Sequence, residues 1–244
     1  MSAFEILFRG HNALELILAG IAIVAMPTIA ARLRMRVLRG PLDQSELLRR
    51  YWITVVRGWL IAVAVLLVWL AAGRPFSELG LDWPPQGEAA LAFAFTIIAV
   101  IVYGYRLAFR FRPTPAEVDK LAAQLEALRL APRNGTEFAA FVPVALTAGV
   151  WEEIFYRGFL IWFLASPLGI WGAAIVSSII FGLGHLYQGW RGVLRTTFVG
   201  MVFSAGYIAT QSLWWLILLH AAIDVYAGIL SWRVFALRRA AHGR

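Results

Sequence analysis

The sequence predicts an all-α fold, a polytopic transmembrane bundle of about seven spans with one cytoplasmic amphipathic helix. Three observations carry this prediction. Hydrophobic residues make up 61% of the 244-residue chain and charged residues 15%, with a mean hydropathy of +0.72, too apolar for a soluble domain of this size. Apolar runs of about 20 residues, the length that crosses a bilayer as a helix, recur along nearly the whole chain. The loops between them alternate between arginine-rich and arginine-poor.

The opening residues lack a basic region followed by a short apolar core and a small-residue cleavage site. The first apolar run is therefore expected to remain as a membrane helix. Spans are expected at 13–31, 53–73, 89–110, 137–165, 170–186, 193–210 and 213–231. Arg32, Arg34, Arg36, Arg39, Arg49 and Arg50 follow the first span, whereas 74–88 holds one arginine and several acids. Arg106, Arg110, Arg112, Lys120, Arg129 and Arg133 follow the third, and 166–169 has no basic residue. Arg191 and Arg195 follow the fifth, 211–212 has none, and the tail holds Arg233, Arg238, Arg239 and Arg244. Positive loops face the cytoplasm, so the N-terminus is expected outside and the C-terminus inside, in an integral protein of a bacterial inner membrane.

Between the third and fourth spans, Val118, Leu121, Leu125 and Leu128 recur at helical spacing with Asp119, Lys120, Glu126 and Arg129 between them. Pro115 opens this segment and Pro132 with Asn134-Gly135 closes it, so 115–130 is expected to be an amphipathic helix lying on the membrane. Packing of the same face on the bundle is the alternative. The chain then divides into an N-terminal part, 1–136, a helical core, 137–231, and a basic cytoplasmic tail, 232–244.

A net charge of +8 and a pI of about 10.6 would suggest nucleic acid in a soluble protein. Here the charge sits in loops beside anionic lipid, so the bilayer is the expected partner and nucleic acid is not. The absence of cysteine removes disulfides, thiol nucleophiles and thiolate metal sites.

Against this background, ionisable residues stand out in three apolar runs: Glu152, Glu153 and Arg157; His185; and His220 with Asp224. A charge at the bilayer centre costs roughly 2.5–3.5 kcal/mol, so such residues need a buried partner or a task. Glu153 and Arg157 are four apart and can pair along one helix face, while Glu152 is rotated about 100° and left free. His220 and Asp224 also share a face, where the carboxylate can fix the imidazole tautomer. Gly182 and Gly184, just before His185, leave room for a neighbouring helix. If the basic loops are cytoplasmic, all three segments meet between the midplane and the cytoplasmic face.

In these residues, Glu152-Glu153…Arg157, Phe181…His185 and His220…Asp224, the chain resembles the CAAX protease and bacteriocin-processing (ABI) family, the type II CAAX prenyl endopeptidases. Phe76-Ser77-Glu78-Leu79-Gly80-Leu81 resembles a short element that often precedes that family's core. The resemblance implies a membrane-embedded, glutamate-dependent endopeptidase acting on a peptide or protein substrate at the membrane. It implies that Glu152 and His185 polarise a water, that His220 and residue 224 stabilise the oxyanion, and that Glu153 and Arg157 orient Glu152. Position 224 is Asp where better-studied members have Asn. An ionised carboxylate cannot donate a hydrogen bond, so Asp224 either carries a proton or orients His220, and the second reading is preferred.

Three other readings are weighed. Glu152, His185 and His220 amount to a catalytic zinc set, but no HExxH is present, and no metal or other cofactor is expected. A proton-coupled transporter would use the same residue types, yet the two halves lack matched interrupted helices. A catalytically idle scaffold would not need every reactive position filled.

Overall fold

A computed structural model of the protein describes residues 11–40 and 42–242; the end of the expected basic tail, including Arg244, lies outside them. The described residues are helical, with no strand. Helix α1, Ala13–Leu38, opens on a capping box in which Asn12 accepts from the Glu15 backbone and Glu15 from the Asn12 backbone. Its π-helical turn, Ile21–Ala25, precedes Pro27, whose nitrogen has no hydrogen to give to the turn before it. Helix α2, Gln44–Ala71, is capped by Asp43, and α3 spans Gly87–Arg110.

The run Gly135–Gly184 contains 50 residues, and a straight helix of that length would extend about 75 Å, more than twice the hydrocarbon thickness. It breaks at Gly169, where φ is 68° and ψ 166°, a conformation that glycine adopts without steric cost. The Ser177 hydroxyl donates to the Tyr156 carbonyl at 2.8 Å although 21 residues separate them, about 31 Å along a straight helix. The limbs 135–168 (α5) and 170–184 (α6) therefore fold back side by side. With this hairpin, six helices long and apolar enough to cross a membrane agree with about seven passes. Helices α7, Trp190–Thr210, and α8, Trp214–His242, complete the bundle.

In α5, Glu153–Leu160 is buried at every position, so this stretch is the central helix of the bundle. It is π-helical, the Ile161 N–H reaching back five residues to the Tyr156 carbonyl. Trp69, Leu79, Phe181, Phe203, Leu213 and Leu216 pack around it. At the periphery, Leu91, Phe95, Ile98 and Ile101 of α3 are exposed, the apolar surface that a bilayer covers. The Phe76–Leu79 turn is held beneath the α7–α8 connection, with Leu213 N–H donating to the Gly80 carbonyl at 2.8 Å.

The amphipathic helix α4, Pro115–Leu128, turns its apolar face to the bundle, the alternative given for it above. Val118 and Ala122 are buried against Val234 and Phe235 of α8, and Arg238 binds Glu126 at 2.7 Å and Asp119 at 3.3 Å. Helix α8 continues past the expected end of its span at 231 and offers α4 an apolar stripe and a counter-charge there.

Candidate active site

Helices α5 and α8 touch where a glycine faces an alanine. A Cβ added at Gly149 would sit 2.8 Å from that of Ala221, so the backbones meet one turn from Glu152 and Glu153 and beside His220. This approach lets Glu153 reach across: its Oε1 accepts from Arg157 Nη1 at 3.0 Å and lies 2.7 Å from His220 Nδ1. Both Glu153 and Arg157 are fully buried. The Arg157 guanidinium stacks 4.3 Å from the Phe181 ring and 5.4 Å from that of Phe203, which shelters it on the α6 and α7 side.

Since a carboxylate only accepts, His220 donates from Nδ1 to Glu153, and Nε2 faces away. That nitrogen lies 3.7 Å from Glu152 Oε2 and 3.8 Å from Asp224 Oδ2, between the two carboxylates. When protonated, the ring has a hydrogen at each nitrogen and a carboxylate near each. Glu152 Oε2 is buried and has no hydrogen-bond partner.

His185 follows the last turn of α6. Its Nδ1 lies 2.9 Å from the Phe181 carbonyl, which can only accept, so the neutral ring carries its hydrogen on Nδ1 and its lone pair on Nε2. Phe181 packs edge-on to His185 and to His220, with ring centroids 4.7 Å and 6.2 Å away. Gly182 faces Thr197 and Val193 of α7, the close approach expected for that glycine.

Glu152 and His185 line one cavity of about 450 Å³, together with Tyr156 and Tyr187. The cavity runs between α1, α2 and α5, and Arg32, Arg36, Arg49 and Arg50 line its outer part. A hydrolytic site needs these things together: a carboxylate with an open oxygen, a lone pair, a ring that can donate, and room for a peptide.

All six expected residues thus converge, but two contacts differ from the expected pairing. The carboxylate that fixes the His220 tautomer is Glu153, because the α5–α8 approach puts it at Nδ1, whereas Asp224 faces Nε2. Glu153 is accordingly shared between Arg157 and His220 rather than neutralised by Arg157 alone. Sequence reading missed Arg57, Tyr156 and Tyr187, which line the same cavity. The arginine carried a signal, a lone charge inside an apolar run; the tyrosines carried none. Among the described residues, no group of three or more His, Asp or Glu side chains is arranged to hold a metal ion.

Residues 134–226 match the family model described as type II CAAX prenyl endopeptidase, Rce1-like. The match contains all six site residues. Neither the comparison with curated proteins nor that with solved structures gives a match.

Proposed function

We propose that this chain, with its CAAX prenyl endopeptidase-like segment at 134–226, is a membrane-embedded endopeptidase that hydrolyses peptide bonds of membrane-associated peptides or proteins. Glu152 takes a proton from a water held also by the Nε2 lone pair of His185, and the resulting hydroxide attacks the scissile carbonyl. His220, its Nδ1–H fixed on Glu153, donates from Nε2 to the developing oxyanion. Glu152 then gives its proton to the leaving amine. Arg157 holds Glu153, and Asp224 supplies a second carboxylate at the Nε2 side of His220. No metal enters these steps, and chelation is expected to leave the activity intact.

One observation carries the reading. A buried polar atom is normally hydrogen-bonded, yet Glu152 Oε2 has no such partner and lies 3.7 Å from His220 Nε2, on a residue lining a peptide-sized cavity. With the arginine-rich ends of α1 and α2 in the cytoplasm, that cavity opens to the cytosol. Comparison of membrane peptidomes from cells carrying the wild type and Glu152→Ala tests the function. A set of fragments is expected in the first and missing in the second. Identical peptidomes would remove the proposal.

A further inference from the structure

The proposed chemistry leaves one charge unused. Arg57 stands midway along α2, inside an apolar run, where a guanidinium is costly without a task. It lines the cavity with Glu152 and His185, while its neighbours Val56 and Leu60 are exposed on the lipid side. Its Nε is buried without a hydrogen-bond partner, and no ion pair within 4.0 Å involves it among the described residues. The position is set by packing: a Cβ added at Gly58 would sit 2.6 Å from Trp151, so α2 and α5 meet at the residues adjoining Arg57 and Glu152.

The surroundings add to this charge rather than cancel it. Five arginines line the cavity, Arg32, Arg36, Arg49, Arg50 and Arg57, against one carboxylate, Glu152. Glu46 answers two of them, at 2.8 Å from Arg49 and 2.6 Å from Arg50. Arg57 lies two turns beyond Arg50 along α2, about 10.5 Å deeper, so the basic lining leads down to it. Such a lining draws in anions, and a guanidinium fork at its inner end matches a carboxylate with two parallel hydrogen bonds.

Resting on the proteolytic reading above, we propose that Arg57 binds a carboxylate of the peptide substrate, so that the enzyme selects chains with an acidic group near the scissile bond. A lipid phosphate is the less favoured occupant, because Arg57 faces the space that a substrate must enter to meet Glu152.

Binding to the Glu152→Gln protein in phosphatidylcholine nanodiscs tests this without requiring turnover. Three forms of one fluorescent apolar peptide serve as probes: an internal Glu with an amidated C-terminus, Gln in its place with the amide, and Gln with a free C-terminal carboxylate. One acidic form is expected to bind about tenfold to a hundredfold more tightly than the neutral one, and its identity tells a side chain from a chain end. Adding Arg57→Gln should erase that ratio, and Arg57→Lys should keep part of it. An unchanged ratio in Arg57→Gln, or equal weakening of all three peptides as for a structural counter-ion, overturns the proposal. So does an effect of Arg57→Gln confined to nanodiscs containing phosphatidylglycerol. If the wild type cleaves none of the peptides but the binding ratio depends on Arg57, the proteolytic reading fails for them and the carboxylate site stands.

Discussion

Two acids enclosed in this bundle, one early in the chain and one past its middle, meet opposite fates. Glu15 in α1 is completely buried, and both its oxygens are occupied. Oε1 takes Arg74 and, at 3.1 Å, the Asn12 amide; Oε2 takes the Asn12 backbone N–H at 2.9 Å and lies 3.4 Å from His11 Nδ1. Arg74 in turn lies over the Trp162 ring at 4.2 Å. Glu152 is enclosed as well, yet its Oε2 is unbonded beside His220 and the cavity. The difference teaches what a buried charge is for: a carboxylate with every lone pair engaged ties helices together, and one with an open oxygen beside a cavity is available for chemistry.

The comparison breaks most visibly at these two positions. Glu152→Gln is expected to lower peptide cleavage roughly 10²–10⁴-fold while thermal unfolding in nanodiscs hardly moves. Glu15→Gln should do the reverse, taking from the partly buried Arg74 its counter-ion and costing up to about 3 kcal/mol of stability, with the cleavage rate per folded molecule retained. Equal losses of activity in both variants would erase the distinction.

Arg157→Met sharpens it, since on the proposed mechanism this residue serves both roles. Removing it leaves Glu153 with His220 alone, so a stability loss of about 3–5 kcal/mol and a fall in activity are both expected, read from unfolding and cleavage of the same sample. Asp224→Asn comes next. Because Glu153, not Asp224, holds His220 Nδ1, activity should stay within about tenfold of the wild type, roughly 1.4 kcal/mol in the barrier. A loss as deep as that of Glu152→Gln would return the orienting role to Asp224.

The smallest effect belongs to an acid outside the spans. The Thr114 backbone N–H and hydroxyl hold the Glu117 carboxyl below its ordinary 4.5. A depressed folded value means that its contribution is present above 4.5 and lost as pH falls through the lower value. Wild type and Glu117→Gln should therefore differ slightly in unfolding temperature at neutral pH and converge well below 4.5, with cleavage at neutral pH the same.

Much of this was legible in the sequence, for physical reasons. Lipid forces every backbone group into a helix, so run length and loop arginines gave the passes, including the division between 137–165 and 170–186, whereas the turn at Gly169 itself came only from the fold. The same rule made Glu152, Glu153, Arg157, His185, His220 and Asp224 visible as charges out of place. Their pairing was not legible. Spacing along one helix predicts Glu153–Arg157 and suggests His220–Asp224, but it cannot show that Gly149 against Ala221 brings Glu153 to His220. The Glu15 clasp escaped notice although Asn12-x-x-Glu15 is a capping pattern, because its partner Arg74 comes from a distant loop. For α4, lipid and the apolar stripe of α8 pose the same demand to a sequence, and only the fold distinguishes them.

The central claim is that the open carboxylate of Glu152 activates water. Purified wild type, Glu15→Gln and Glu152→Gln in nanodiscs can each be given one pool of apolar peptides in ¹⁸O-labelled water, with products read by mass spectrometry. Fragments bearing a labelled new C-terminal carboxyl are expected from the wild type and Glu15→Gln and not from Glu152→Gln. Labelled fragments from Glu152→Gln at the wild-type rate would contradict the account.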